Sequence, residues 1–132
     1  MTELRLEIPM IPPSGNHYKT YRVVLPKNGA PAFVQWYPTK EAEDWWGAVA
    51  IIAAGRCVLG HALEVSYIVF RTPMMRADTD NFAKCILDAL TKAGVIEDDR
   101  YIDDLHCHRR TDRNNPRTVI IVKSAQAQLE GM

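Results

Sequence analysis

One segment of the sequence concentrates carboxylates beside a lysine. Residues 76–104, RADTDNFAKCILDALTKAGVIEDDRYIDD, contain half of the 16 acidic residues of a chain whose formal net charge is zero. Asp78 and Asp80 are two positions apart, so their like charges repel each other unless a cation lies between them. Mg²⁺ takes oxygen ligands and needs only one or two protein carboxylates, because water and substrate phosphate complete its shell. The spacing therefore indicates a divalent-metal site.

The residues that follow have the periodicity of an amphipathic helix, which begins at Thr79 or Asp80 and ends at Gly94. Its predicted apolar stripe comprises Phe82, Ile86, Leu90 and Ala93, flanked by Ala83, Leu87 and Ala89. Asp80, Lys84 and Asp88 then lie four residues apart on the opposite, exposed ridge. Such a ridge is common on solvated helices, where each pair contributes only about 0.2–0.5 kcal/mol. The additional acid just before this helix favours a functional interpretation.

Further acids follow the helix and provide a third ligand for the metal. The chain reverses after Gly94, which returns Asp98 or Asp99 towards the helix. Three carboxylates and a lysine around a metal ion can hydrolyse a phosphodiester, because the ion activates water and the ammonium adds positive charge near the transition state. The residues leave open which of the two is the third ligand, and Asp103 and Asp104 are extra acids on the next strand.

The elements around this segment predict an α+β fold, a single domain of residues 1–132 with a mixed sheet of about four to six strands and two main helices. Strands are predicted at residues 4–10, 21–25, 32–37, 62–71, 101–110 and 118–123. Asn28 and Gly29 indicate a hairpin turn between the second and third strands. The tail from about residue 124 to residue 132 is expected to be a short helix or frayed.

The first helix is predicted to begin after a Thr39 cap and to run to about Gly55. It contains adjacent tryptophans, of which we expect Trp46 to lie in the core and Trp45 at an interface. The strand over residues 62–71 is rich in β-branched and aromatic residues, so we expect both of its faces to be largely buried.

Composition excludes several classes of protein. The longest nearly apolar run, residues 45–55, is far short of the roughly 20 residues that span a bilayer, and nothing resembles a signal peptide. The three cysteines are odd in number and widely spaced, which excludes a disulfide framework and favours the cytoplasm. In a strand His106 and His108 point away from Cys107, so a zinc site is disfavoured.

A basic segment follows the acidic one. It comprises His106, His108, Arg109, Arg110, Arg113, Arg117 and Lys123, opposed only by Asp112. A bound divalent cation would cancel part of the acidic cluster and leave this segment to dominate the local field. Its arginines, together with Arg76, are therefore interpreted as phosphate contacts, which position a duplex without reading its sequence.

The acidic segment also carries a family resemblance. Residues 78–99, DTDNFAKCILDALTKAGVIEDD, closely resemble the D-x-D-N-x-x-K…D-x-L…G-x-x-x-D-D signature of the RusA family of Holliday junction resolvases. Upstream, PPSGNHY at residues 12–18 resembles the P-P-S-x-N-x-x-Y segment of that family, with Tyr18 one residue early. The central signature is the specific one, because spacing and residue types agree along its whole length.

The resemblance implies a RusA-like fold and a homodimeric, magnesium-dependent endonuclease that nicks four-way DNA junctions. Mn²⁺ is expected to substitute for Mg²⁺, and no small-molecule cofactor is implied. Members of the family are often encoded by phages or prophages. A junction has near two-fold symmetry, so a symmetric dimer would place two active sites on two strands and make paired nicks.

The resemblance also assigns roles at matching positions. The metal-binding acids would be Asp78, Asp80 and Asp99, with Asp98 as the rival for the third position. Lys84 would act on the attacking water or the scissile phosphate. Two residues would have supporting roles: Asp88 would orient Lys84, and Asn81 would brace the acidic loop. Asn16 would bind DNA.

Some features depart from this pattern or leave alternatives open. The chain is neutral, whereas members of the RusA family are basic. Residues 23–37 also look longer than the corresponding stretch of the compact members, and they are interpreted either as a ribbon that contacts the junction or as a loop. A nuclease for flaps or loops would use the same carboxylates and differ only in substrate shape. A silent junction-binding protein would need no magnesium, yet it would have no reason to concentrate negative charge where DNA approaches.

Overall fold

The computed structural model describes residues 2–14, 17–73 and 82–124. These residues form an α+β fold with two helices, a four-stranded mixed sheet and a two-stranded hairpin, which confirms the predicted fold class. The elements in chain order are β1 (Glu3–Ile8), β2 (Lys19–Val24), β3 (Phe33–Pro38), α1 (Lys40–Ala53), β4 (Leu63–Arg71), α2 (Ala83–Lys92), β5 (Ile102–Thr111) and β6 (Arg117–Ser124). The predicted tail lies outside the described residues, and the single-domain organisation stays a prediction.

The larger sheet has the strand order β1-β6-β4-β5. β4 and β5 are parallel, and the β1-β6 and β4-β6 pairs are antiparallel. Because parallel neighbours need a crossover connection, α2 carries the chain from β4 back to the start of β5. The segment that contains the acidic signature is therefore the crossover itself.

Both helices cover one face of the larger sheet. The core contains alternate residues of the strands, such as Leu4, Leu6 and Ile8 of β1, together with the buried stripes of α1 and α2. β4 was expected to be largely buried on both faces, but only Leu63, Val65, Tyr67 and Val69 are fully buried. The difference arises because no helix among the described residues packs against the other face, where Ile68 and its neighbours are partly exposed.

The first helix begins at its predicted cap. The Thr39 hydroxyl accepts a hydrogen bond from the Ala42 backbone N–H at 3.2 Å, which satisfies one of the unpaired donors of the first turn. The helix ends at Ala53, slightly before the predicted end, because Ala54 already has a left-handed conformation with φ +52°. Neither helix in the described part of the chain is long and apolar enough to cross a membrane.

The assignment of the two tryptophans from the sequence is wrong. Trp45, expected at an interface, is 0% exposed and lies in the core, where its indole N–H donates to the Cys85 carbonyl of α2 at 3.2 Å. Trp46, expected in the core, is only partly buried. Its ring packs edge-on against Tyr18 at 5.7 Å and lies beneath the Lys92 ammonium at 4.4 Å.

The second helix ends where the sequence predicted. Gly94 has φ +74°, the left-handed conformation that a glycine at a helix end adopts without strain. The Val58 backbone N–H then donates to the Val95 carbonyl at 2.8 Å, which ties the return to the connection after α1. A short 3-10 helix, Asp99–Tyr101, leads into β5. The predicted start of α2 at Thr79 or Asp80 lies outside the described residues.

Candidate active site

The ridge predicted on α2 is present at its two described positions. Lys84 Nζ lies 3.5 Å from Asp88 Oδ2, one turn further along the helix. The lysine side chain is 67% exposed, whereas that of Asp88 is only 25% exposed. The carboxylate is thus the fixed partner, and it holds a mobile ammonium on the open side of the helix.

A tyrosine from the N-terminal part of the chain fixes this carboxylate. The Tyr18 hydroxyl donates a hydrogen bond of 2.5 Å to Asp88 Oδ2, the same oxygen that faces Lys84. Burial, and then the neighbouring Asp88, raise the pKa of the Tyr18 phenol, so it stays a neutral donor. The same two causes raise the pKa of the buried Cys85 thiol to about 12. A thiol in that state is not a nucleophile at neutral pH.

Asp88 forms one wall of a cleft that the acids after α2 complete. The cleft has a volume of about 370 Å³ and is lined by Asp88, Thr91, Lys92, Asp98 and Asp99. Three carboxylates and one ammonium therefore line the same opening. Oxygen donors of this kind suit Mg²⁺, and an ammonium among them suits a phosphate.

The two neighbouring acids in the cleft have different surroundings. Asp98 Oδ1 accepts a hydrogen bond from the Arg100 backbone N–H at 3.0 Å, and Asp98 Oδ2 lies 3.9 Å from Arg100 Nε. The Arg100 backbone donor, then a side-chain hydrogen bond with Asp99 and last the Arg100 guanidinium, lower the pKa of the Asp98 carboxyl. Asp99 is exposed, and no cation within the described ranges lies within ion-pair distance of its carboxylate.

Several residues that the sequence singled out lie outside the described residues. They are Asn16, Arg76, Asp78, Asp80 and Asn81. Within residues 2–14, 17–73 and 82–124, no group of three or more His, Cys, Asp or Glu side chains is close enough to hold a metal ion. The structure thus unites Lys84, Asp88, Asp98 and Asp99, and the ligand set predicted from the sequence stays a prediction.

The predicted phosphate contacts fall into two groups. Arg109, Arg110 and Arg113 are exposed, on the last part of β5 and in the following loop. Arg117 has a structural role instead, because its guanidinium lies 2.9 Å from Asp112 and 3.2 Å from Glu7 and stacks 3.8 Å from the Phe70 ring. The hydrogen bond from Arg117 lowers the pKa of the Asp112 carboxyl.

The histidines and cysteines show no sign of a zinc site in the described residues. His106 Nε2 lies 3.4 Å from a Glu64 carboxylate oxygen across the β4-β5 pair. All three cysteines are free, with Cys85 buried and Cys57 and Cys107 partly buried.

Two residues in the site were given no role from the sequence alone. Tyr18 stood in the family-like N-terminal segment, 70 positions from Asp88, and that segment was the only signal that pointed to it. Lys92 lines the cleft, and it was assigned no function from the sequence. Neither contact follows from local spacing.

Replacing Tyr18 tests the support of the Lys84–Asp88 pair. Tyr18→Phe keeps the buried ring and removes the hydroxyl, so Asp88 loses a charge-assisted hydrogen bond. We expect the free energy of unfolding to fall by about 1.5–3 kcal/mol, measured by urea denaturation. Tyr37→Phe is the matched control, because the Tyr37 ring lies in the exposed hairpin. Equal losses for both variants would contradict a supporting role of the Tyr18 hydroxyl.

The sequence of the chain matches the model of a known protein family. The family model described as Endodeoxyribonuclease RusA matches residues 11–123, which is most of the chain. None of the curated proteins matches the sequence. The matched range includes the whole of the cleft and the hairpin.

Proposed function

The chain belongs to the RusA family of Holliday junction endodeoxyribonucleases, hydrolases of DNA recombination and repair, and we propose that it resolves four-way junctions by paired, symmetric, Mg²⁺-dependent nicks. The observation that carries this proposal is the cleft in which Asp99 and Asp88 lie together, with Lys84 paired to Asp88. Branched DNA is the substrate that the family implies. The family is typically metal-dependent.

We propose Asp78, Asp80 and Asp99 as the metal-binding acids. Carboxylate oxygens are the ligands that Mg²⁺ and Mn²⁺ prefer, so the chemistry of the donors fits. Chain length limits the separation of Asp80 from the start of α2, because two residues from Asp80 to Phe82 span at most about 7 Å. Asp88 lies only about 9 Å further along the helix axis, at a rise of 1.5 Å per residue.

Each remaining residue then has a task in hydrolysis. A bound Mg²⁺ would activate the attacking water and offset the charge that develops on the phosphate. Lys84 supplies a second positive charge for the scissile phosphate, and Asp88 limits the positions that the ammonium can take. Tyr18 holds Asp88 in turn, so it is a positioning residue. Asn81 is proposed to brace the acidic loop.

DNA would be held by cations outside the cleft, including those at the end of β5 and in the loop after it. Arg109, Arg110 and Arg113, together with Arg76 and Asn16, are the proposed contacts to the DNA backbone. A chain of zero net charge lacks the basic excess that usually attracts DNA. A bound divalent cation reduces the repulsion between the acidic cleft and the phosphates.

We further propose that the active form is a symmetric homodimer. Two copies related by a two-fold axis present two clefts to two strands of like polarity, which accounts for paired nicks. Equilibrium sedimentation should find a dimer at the concentrations at which the enzyme cleaves. A fully active monomer would contradict the proposal. The cytoplasm is the proposed site of action, in keeping with three free cysteines.

The function is tested by cleavage of a labelled synthetic four-way junction beside a linear duplex of the same sequence. Wild type with Mg²⁺ should nick the junction at symmetric positions and leave the duplex intact. Chelation, or Asp80→Asn, should reduce cleavage by at least about 100-fold while junction binding persists, because metal-dependent activation is lost. Binding is measured with chelator present, so it does not depend on catalysis.

Each other result has a definite meaning. Cleavage of a flap or loop substrate, with the junction intact, would assign the same chemistry to a different branched DNA. Junction binding without cleavage of any substrate would identify a silent binding protein. Equal activity of Asp80→Asn and wild type would remove the acidic segment from the mechanism.

A further inference from the structure

The hairpin of β2 and β3 stands apart from the rest of the fold. Its strands pair with each other and form a separate two-stranded sheet. A two-stranded hairpin is marginally stable alone in water, and it normally buries one face against another element. In the described structure most of the large apolar side chains of this hairpin are exposed instead.

The register of the hairpin places four exposed apolar residues on one face. Tyr21 lies opposite Trp36 and Val23 lies opposite Val34, so that these four side chains project from the same side. The two rings are 57% and 64% exposed, their centroids are 5.2 Å apart, and their planes are tilted by 53°. Together they offer a preformed aromatic surface to solvent. We call the face that carries these four side chains the aromatic face.

The opposite face of the hairpin is more polar. Arg22 Nε donates to Gln35 Oε1 at 3.0 Å, and the guanidinium of Arg22 lies 5.9 Å from the Tyr37 ring centroid. Phe33 also projects from this side and is 52% exposed, because it lies opposite Val24 in the register. Tyr37 lies on this side too and is 41% exposed, so each face carries two exposed aromatics, and the aromatic face is distinguished by the ring pair of Tyr21 and Trp36.

Charge indicates what the hairpin binds. Residues 19–38 contain three cations, Lys19, Arg22 and Lys27, and none of the 16 acidic residues of the chain. Since the whole chain is neutral, the remainder carries a net charge of −3. The hairpin is thus a positively charged segment, with a net charge of +3, in a protein whose overall net charge is zero. Cations interleaved with exposed aromatics are typical of surfaces that contact nucleic acid bases and phosphates.

The hairpin is anchored beside the candidate active site. Tyr18, which directly precedes β2, donates its hydroxyl proton to Asp88. The Thr39 backbone N–H, directly after β3, donates to the Tyr18 carbonyl at 3.1 Å and closes the base of the hairpin. Tyr21 is three residues from Tyr18, about 10 Å along an extended strand, which equals about three nucleotide steps of 3.4 Å.

We infer that the aromatic face of this hairpin binds DNA bases left unstacked at the branch point of the junction, while its cations contact the neighbouring phosphates. This inference rests on the proposed function and adds a base-stacking arm to it. A flat ring pair suits bases of any sequence, because every base has a π-face. The arm would hold the branch point within a few nucleotides of the cleft.

A second copy of the chain is a poorer occupant of the same face. A two-fold contact places one patch against its own copy. Lys19 is the strand cation on this face, and residues 19–38 contain no carboxylate to pair with it, so a two-fold contact would bring like charges together. DNA offers aromatic bases and negative phosphates together, so it complements both features of the hairpin.

The inference is tested with Trp36→Ala, and with Phe33→Ala as the matched control. Both variants shorten an exposed aromatic of the same hairpin, but on opposite faces. Junction binding is measured by fluorescence anisotropy with chelator present and at one fixed salt concentration. We expect Trp36→Ala to raise the Kd for the junction about 5- to 100-fold, as the loss of one base stack does. Phe33→Ala should leave it within about twofold on the same scale.

Two further measurements make the result specific. Trp36→Phe retains a ring and should recover most of the affinity that Trp36→Ala loses. Junction binding should also quench the fluorescence of Trp36. This quenching is measured as the difference between wild type, which should show it, and Trp36→Phe, which should lack it. Trp36→Ala should change the Kd for a linear duplex less than the Kd for the junction, because a paired duplex exposes no unstacked base except at its ends.

The outcomes separate this inference from the proposed function. Unchanged junction binding by Trp36→Ala would overturn the arm, even with wild-type cleavage intact. A monomeric Trp36→Ala beside a dimeric wild type would also overturn it, because the face would then belong to a second copy. Failure of wild type to cleave junctions would count against the proposed function alone, provided that the Trp36 contact to DNA is still observed.

Discussion

Asp99→Asn should reduce junction cleavage by at least about 100-fold, whereas Asp98→Asn should retain activity within a few-fold of wild type. The two substitutions are adjacent, isosteric and equal in charge. Each removes one negative charge from the cleft, so their effects on the general attraction of DNA should be the same. A difference between them therefore reports on the specific work of each carboxylate.

The geometry of the cleft gives the reason for the expected difference. Both oxygens of Asp98 face Arg100, one towards its backbone N–H and the other towards its guanidinium. A metal ion on Asp98 would have to compete with these contacts. The amide introduced by Asp98→Asn can still accept the hydrogen bond from the backbone N–H, so the turn into the 3-10 helix should survive. Asp99 has no such engagement with a cation in the described structure and is exposed to the cleft.

The measurement needs a readout of metal binding besides cleavage. Isothermal titration with Mn²⁺ should show weaker binding to Asp99→Asn, by roughly 10- to 100-fold or more. Asp98→Asn should bind Mn²⁺ like wild type. Junction affinity in chelator should be equal or slightly higher for both variants, since both lose a negative charge.

The opposite pattern would have a clear meaning. Loss of activity and metal binding in Asp98→Asn alone would make Asp98 the third ligand and its contact with Arg100 dispensable. Loss of activity and metal binding in both variants would mean that both carboxylates bind the metal. Full activity in both would remove this end of the cleft from the chemistry.

Local signals were sufficient for most of the fold. Strict alternation predicted β1, and a hydroxyl followed by acids predicted the start of α1 at Thr39. Gly94 predicted the end of α2, because only a residue tolerant of positive φ fits there. The hairpin followed from Asn28–Gly29, where Gly29 has φ +80°. Each of these signals acts within a few residues, so no tertiary contact is needed to interpret it.

The contacts that build the site could not be predicted in this way. Tyr18 and Asp88 are 70 residues apart, and no spacing rule brings a particular tyrosine to a particular carboxylate. Asp98 and Asp99 are identical in type and adjacent in sequence, so local spacing does not distinguish them, whereas the contacts of Asp98 with Arg100 do. The open face of β4 was also beyond the sequence, because a strand of apolar residues does not reveal which of its faces the helices cover.

The tryptophans of α1 show the same limit. The run from Trp45 to Gly55 is apolar on nearly all sides, so its periodicity does not fix which stripe faces the sheet. The structure buries Ala42, Trp45, Val49 and Ala53, and it leaves Ile51 78% exposed. The phase of the helix is set by contacts with α2 and the strands, which the local pattern does not contain.

Trp45→Ala should destabilise the protein by about 3–5 kcal/mol, and Trp46→Ala by only about 1–2 kcal/mol. Trp45 fills the core and donates its indole N–H to the Cys85 carbonyl, so its removal leaves a cavity and loses this buried hydrogen bond. Trp46 loses an edge-on contact with Tyr18 and a cation–π contact with Lys92, both at a partly exposed position.

Urea unfolding followed by circular dichroism, at one fixed protein concentration, measures both free energies. Trp45→Phe serves as a second variant in case Trp45→Ala does not fold, and it should cost less because most of the core volume remains. If the two alanine variants lost equal free energy of unfolding, or Trp46→Ala lost more, the face of α1 that carries Trp45 would not be the one that packs in the core. The alignment of α1 on α2 would then be in doubt, and with it the position of Tyr18 against Asp88, since Trp46 and Tyr18 pack together at the edge of the cleft.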